Sequence, residues 1–267
     1  MGVEQPDILA LDFDGVVCDG LIEYFQTAWQ AYCQVWQPGD RTPPAGLAEQ
    51  FYRLRPVVET GWEMPVVLRS LLQGTSEEAI LANWGAIAQT QIQTDQKQPE
   101  ELAAAVDGVR DQWIAADLED WLGQHRFYPG VIERLQQILE HSADVRIVTT
   151  KEGRFVKQLL HQAGVELEEA QIFGKEVKQP KHQTLRSLLQ QSFEQTGESA
   201  TLWFVEDRLK TLKSVATQED LQTVQLFLAD WGYNTVGDRQ IAQDDNRIHL
   251  ISLKTFAQEF PNWLPSV

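Results

Sequence analysis

Two carboxylates two residues apart carry the first chemistry in this chain. In Asp7-Ile8-Leu9-Ala10-Leu11-Asp12-Phe13-Asp14-Gly15-Val16-Val17, an apolar run ends in Asp12 and Asp14, and glycine follows at once. Apolar residues right up to the first acid predict a short buried strand that delivers both acids into a crevice at its C-terminal end. If extended geometry persists between them, Asp12 and Asp14 lie on one side, and Gly15 lets the backbone turn sharply or approach a ligand closely. Carboxylates held this near each other repel, so a hard cation is a natural partner. Magnesium takes oxygen ligands and commonly sits beside a substrate phosphate. The competing reading is a strand followed by an ordinary Asp-Gly turn.

Two more strand candidates end in polar groups. Val145-Arg146-Ile147-Val148 runs into Thr149-Thr150, and Ala200-Thr201-Leu202-Trp203-Phe204-Val205 runs into Glu206-Asp207. Lys175, Lys178 and Lys181 are the nearby basic candidates. Together these residues offer a nucleophile, a hydroxyl donor, a phosphate-binding cation and metal ligands. Phosphoryl transfer needs that combination, because positioning and charge neutralisation supply most of its catalysis.

The elements that must position these groups follow from hydrophobic periodicity. Leu21, Phe25, Ala28, Tyr32 and Val35 recur at helical spacing over 21–36, and Gln37-Pro38-Gly39-Asp40-Arg41-Thr42-Pro43-Pro44 stops that helix. Residues 45–125 read as helix throughout, over 47–54, 65–73, 76–92 and 99–121, with Trp62, Trp84, Trp113 and Trp121 as packing anchors. At residue 126 the character changes. Helices at 131–141, 152–163, 182–194 and 208–217 alternate with strand candidates at 145–148, 171–174, 200–205, 224–229 and 247–251. That alternation predicts an α/β fold, a doubly wound, Rossmann-like and mostly parallel sheet covered on both sides. The expected organisation is a core of 1–19 plus 126–267, with an inserted α-helical cap at 20–125. Ligands in such sheets gather beyond the carboxyl ends of the strands, where all three polar strand ends converge.

Composition narrows the partners. The 267 residues carry 39 acids against 22 Lys and Arg, a formal charge of −17. Such a surface repels nucleic acid and anionic membrane, so neither is an expected partner, while a local cleft can still take a small anion. Cys18 and Cys33 supply no disulfide framework or metal cluster. His125, His161 and His182 lack zinc-ligand spacing. No apolar segment approaches membrane-spanning length, and Met1-Gly2-Val3-Glu4-Gln5-Pro6 has no basic region followed by an apolar core. A soluble, cytoplasmic protein, monomer or homodimer, is the expectation.

The ordered set of motifs resembles the haloacid dehalogenase-like hydrolase superfamily, in its magnesium-dependent phosphatase branch with a helical cap. The first motif is Asp12-Phe13-Asp14-Gly15-Val16, the second Ile147-Val148-Thr149 and the fourth Phe204-Val205-Glu206-Asp207. The third is a lysine in Lys178-Gln179-Pro180-Lys181-His182-Gln183-Thr184-Leu185, with Lys181 the first candidate, because it opens a leucine-bearing helix, and Lys178 the next. The resemblance implies that Asp12 is the nucleophile, forming an aspartyl-phosphate, and that Asp14 protonates the leaving oxygen and then activates water. It implies that Thr149 and the lysine bind the phosphoryl group. Mg2+ would be held by Asp12, Asp207 and the Asp14 backbone carbonyl, with Glu206 binding through water or setting the surroundings. The family often carries a further aspartate about four residues on, and this chain has Arg208-Leu209-Lys210-Thr211 there. Ala229-Asp230-Trp231-Gly232-Tyr233-Asn234 resembles a segment of phosphoglycolate phosphatase-like proteins.

The function implied is magnesium-dependent hydrolysis of a small organic phosphomonoester, a phosphorylated metabolite such as phosphoglycolate. A phosphotransferase such as a sugar-phosphate mutase is the enzymatic alternative, and a non-catalytic metal-binding interaction protein is the other.

Overall fold

The computed structural model of the protein describes residues 5–141 and 143–264. Residues 1–4, 142 and 265–267, which the sequence reading assigns to the core, lie outside the described residues. The chain divides into two compact units, one of Met1–Asp19 with Phe127–Val267 and one of Gly20–Arg126.

The first unit is built on a six-stranded parallel sheet. Its strands are β1 (Ile8–Leu11), β4 (Asp144–Val148), β5 (Ile172–Phe173), β6 (Leu202–Glu206), β7 (Gln225–Ala229) and β8 (Ile248–Ile251). Two short strands, β2 (Cys18–Asp19) and β3 (Arg126–Phe127), mark where the chain leaves and returns. The order β5-β4-β1-β6-β7-β8 places β1 between β4 and β6. The connections run outward from β1 in one direction and then in the other. This reversal is the topological switch point of a doubly wound sheet, and it opens a crevice at the carboxyl ends of β1 and β6.

These segments become central strands because both of their faces are apolar. All four residues of β1 and all five of β6 are buried. Successive side chains point to opposite faces. Leu202 and Phe204 pack with Leu185 and Leu188 of α9 (Lys181–Thr196) and with Leu209, Leu212 and Val215 of α10 (Leu209–Ala216). Trp203 faces the other way, meeting Phe227, Phe260 and Trp263 at ring-centroid distances of 5.2, 5.5 and 5.8 Å. Burial of a side chain such as Phe204 contributes roughly 1.5–3 kcal/mol, so the layering is strongly specified.

Helices α7 (Val131–His141) and α8 (Gly153–Gln162) fall where periodicity predicts them. Two helices were not predicted, α11 (Val236–Gln243) and α12 (Leu253–Phe256). The signal for α11 is a reciprocal cap. The Thr235 hydroxyl accepts the Asp238 N–H at 3.1 Å, and the Asp238 carboxylate accepts the Thr235 N–H at 2.9 Å.

The second unit is helical: α1 (Leu21–Trp36), α2 (Leu47–Leu54), α3 (Glu63–Leu72), α4 (Glu77–Thr94), α5 (Pro99–Ala116) and α6 (Leu118–Leu122). Phe25, Ala28 and Tyr32 are buried as their spacing predicts. The single helix expected over 99–121 is two. Asp117 leaves helical geometry (φ −157°, ψ 89°), and its carboxylate accepts the Asp120 N–H at 2.9 Å, starting α6. Of the four tryptophans expected to anchor this unit, Trp84 and Trp121 are buried. Trp62 and Trp113 are half-buried, and the Trp113 indole N–H donates to exposed Asp120 at 2.8 Å. An indole presents one polar edge, so a helix face can hold it at the boundary with water.

Candidate active site

Parallel pairing sets the first geometry. Leu11 is in register with Val205, and the Asp12 N–H donates to the Val205 carbonyl at 2.9 Å, so the residues after these partners emerge side by side. Asp12, Glu206 and Asp207 are all buried there, and carboxylate oxygens of the three lie within 4.8 Å of one another. Lys181, the first residue of α9, reaches into the group. Its Nζ lies 2.9 Å from Asp12 Oδ1 and 2.7 Å from Glu206 Oε2, and 5.9 Å from the Phe204 ring centroid.

Burial dominates the electrostatics. It pushes the Asp12 carboxyl up to about 7; the Lys181 ammonium opposes the shift, and Glu206 and Asp14 add to it. Glu206 is likewise pushed up to about 7 by burial, against Lys181, with Asp207 reinforcing it. Asp207 rises to about 6 through burial and the charge of Asp12, with Arg208 opposing. Burial alone would lower the Lys181 ammonium, but Asp12 and Glu206 together hold it above its ordinary value.

Asp207 is seated from two sides. Its Oδ2 accepts the Tyr233 N–H at 2.7 Å, and its backbone carbonyl accepts from Asn234 Nδ2 at 3.1 Å. A Cβ on Gly15, whose φ is +90°, would come within 2.2 Å of Asp207 Oδ2, and one on Gly232 within 2.3 Å of Asp207 Cβ. Both glycines are therefore required by the close approach of the backbone to this acid.

Asp14 lies apart from the three clustered acids and pairs with another cation. Lys151 Nζ is 3.3 Å from its Oδ1 and 3.5 Å from its Oδ2. Thr149 is buried just past β4, where its backbone N–H donates to the Phe173 carbonyl and its hydroxyl accepts the Lys151 N–H at 3.2 Å.

Solved structures share this architecture. A haloacid dehalogenase-like hydrolase from Streptococcus pneumoniae superposes with a TM-score of 0.54 at 15% identity, covering 93% of this chain and 94% of that one. The chain has a haloacid dehalogenase-like fold. A putative phosphatase from Clostridium difficile gives 0.57 at 12% identity, over 94% and 96% of the two chains. A predicted phosphoglycolate phosphatase from Haemophilus somnus gives 0.57 at 12%, over 98% and 97%. No protein-family model and no curated protein matches the sequence.

Within this haloacid dehalogenase-like fold, Asp12, Glu206, Asp207 and Lys181 meet at the switch point. Asp14 and Thr149 belong to the loops beside them and share a neighbour in Lys151. Of the two candidate lysines, Lys181 touches Asp12, whereas Lys178 is exposed in a left-handed turn (φ 52°). The cluster suits a hard divalent cation: every donor is a carboxylate oxygen, and burial makes uncompensated negative charge costly. Sequence reasoning assigned no role to Lys151. Its local signal is its place in Val148-Thr149-Thr150-Lys151, two residues beyond a strand-terminal threonine. Trp231 and Tyr233 lie in the segment that resembles phosphoglycolate phosphatase-like proteins. Trp231 donates to the Val16 carbonyl at 3.0 Å, and Tyr233 steadies Asp207.

Proposed function

We propose that the protein is a magnesium-dependent phosphatase acting on a small organic phosphomonoester through an aspartyl-phosphate on Asp12. The observation that carries this reading is the contact of Asp12 with Lys181, beside Glu206 and Asp207, at the carboxyl ends of adjacent parallel strands. A nucleophilic carboxylate, a cation against it and a hard-metal donor set are the parts this chemistry requires.

In this mechanism an Asp12 oxygen attacks phosphorus while the ester oxygen departs with the proton of Asp14. Asp14, now a carboxylate, takes a proton from water as that water attacks phosphorus. The P–O bond to Asp12 then breaks, releasing phosphate and restoring both acids. Lys181 neutralises charge on the transferring group, and the Thr149 hydroxyl donates to it. Asp12 and Asp207, with the Asp14 backbone carbonyl and Glu206, would hold Mg2+, which when bound offsets the negative charge shared by carboxylates and phosphate.

Residues 20–126 act as a cap that selects the substrate, a cytoplasmic metabolite of which phosphoglycolate is our first candidate. The test is phosphate release from a panel of phosphate esters, with and without Mg2+. Magnesium-dependent release from small alkyl esters, phosphoglycolate foremost, supports the reading. Isomerised sugar phosphate with little free phosphate would replace it with a mutase, and no turnover with intact metal binding would leave a binding protein.

A further inference from the structure

The contact between Lys151 and Asp14 joins residues 137 positions apart, so it is a product of the fold alone. The two side chains are only 9% and 18% exposed. The Lys151 backbone is held at both ends: its N–H donates to Thr149 Oγ1 at 3.2 Å, and its carbonyl accepts the Lys175 N–H at 2.9 Å. Two residues on, Gly153 opens α8 and donates its N–H to both Glu176 carboxylate oxygens at 3.2 Å. The turn after β5 therefore clamps residues 151–153, and it can close this far because Gly174 has no Cβ. One there would lie 2.5 Å from the Gly153 nitrogen.

Asp14, by contrast, sits in the tight turn after β1, where the Gly15 N–H donates to the Cys18 carbonyl at 2.8 Å. A carboxylate on such a turn can rotate about its side-chain torsions, and a cation facing both oxygens selects one arrangement. Lys181 is committed to Asp12 and Glu206. We infer that Lys151 is a positioning residue, whose ammonium group, carried on a clamped backbone, holds the Asp14 carboxylate in the orientation from which it exchanges protons with the leaving group and with water. This rests on the phosphatase reading above. Each of the two opening aspartates then has its own lysine, Lys181 for the nucleophile and Lys151 for the acid–base.

The test uses the full chain with Mg2+ and two substrates, an aryl phosphate with an acidic leaving group and a primary alkyl phosphate. Misplacement of a reacting group by about 1 Å costs on the order of 100-fold. Lys151→Met should therefore lower kcat for the alkyl ester by roughly 10–100-fold, with the aryl ester changed by less than about threefold and KM held within about twofold. Lys151→Arg should recover most of the alkyl activity. In an Asp14→Asn background, Lys151→Met should add less than about twofold, because the group it positions is gone.

Melting curves check that each variant folds, and Lys151→Gln serves the same purpose should the methionine variant not fold. A rise in KM on both esters at constant kcat would reassign Lys151 to substrate binding. Equal kcat losses on both esters, or losses that multiply with Asp14→Asn, would reduce it to a structural role. Wild-type kinetics in Lys151→Met would overturn the inference outright. Failure of the phosphatase reading looks different: no magnesium-dependent turnover in the wild type, or an Asp14→Asn variant indifferent to the leaving group.

Discussion

Two buried acidic places in this protein are solved in opposite ways. In the helical unit, Glu23 of α1 is fully buried and surrounded by donors. Arg110 grips it with Nε at 2.8 Å and Nη2 at 3.2 Å, the Thr27 hydroxyl donates at 2.8 Å and the Trp121 indole at 3.1 Å. Burial would lower the Arg110 guanidinium, but Glu23 holds it above its ordinary value. At the carboxyl ends of β1 and β6, Asp12, Glu206 and Asp207 crowd together, and Lys181 pairs with Asp12 and Glu206. One acid with a full set of partners stabilises a fold. Three buried acids, two of them paired with one lysine, retain surplus negative charge, and that surplus marks a place for a ligand.

The sharpest way to break this comparison is to remove the carboxylate we propose as the attacking group. Asp12→Asn should lower phosphatase turnover roughly 10⁴-fold or more, as loss of a nucleophile does elsewhere, and should abolish acid-stable labelling of the protein by a phosphorylated substrate. Comparable turnover in the variant and the wild type would end the covalent mechanism. Next in size is the helical unit. Glu23→Ala strands Arg110 without its carboxylate and should cost about 3–5 kcal/mol in denaturant unfolding. A variant as stable as wild type would show that the Glu23 arrangement is no structural counterpart to the site.

A smaller effect distinguishes the two places by pH. The folded values of Asp12, Glu206 and Asp207 lie above their ordinary ones, so the folded, metal-free protein binds protons more tightly than the unfolded chain. Their contribution is present at about pH 4 and is lost as pH rises through 6 to 7. Metal-free protein should therefore become progressively less stable between pH 5 and pH 8, and Mg2+ should flatten that slope. A melting temperature that rises across this window without metal would contradict the surplus-charge account. Smallest is Asp207→Asn, which removes one charge while its amide oxygen still accepts the Tyr233 N–H. In metal-free protein at pH 8 it should match the wild type or exceed it by about 1 kcal/mol. Its melting temperature should no longer respond to Mg2+. Destabilisation with an intact Mg2+ response would place Asp207 outside the metal-binding group.

Much of the core was legible because its signals are local. A central strand must be apolar on both faces, so Ile8 to Leu11 and Leu202 to Val205 announce themselves, and the polar residues that stop them fall at the strand ends. Helical periodicity likewise found α1, with Phe25, Ala28 and Tyr32 on its buried face. The misses also have local causes. Asp117 interrupts a helical pattern that has no proline or glycine at the break, and the Thr235–Asp238 cap opens a short helix with little apolar periodicity. Tryptophan number overstated burial, because Trp62 and Trp113 sit where one edge of an indole meets water.

What the sequence determined by itself is therefore which segments are buried, in what order they alternate, and which acids end the strands, since each depends on residues a few positions apart. The tertiary structure decided the pairings. It chose Lys181 over Lys178 for Asp12, set Lys151 against Asp14, laid the Tyr233 N–H on Asp207 and closed Arg110 on Glu23. The physical reason is that a charge carries no address in the chain. Its partner is whichever group the strand order β5-β4-β1-β6-β7-β8 and the helix packing bring within about 3–4 Å, where removal from water makes the match decisive.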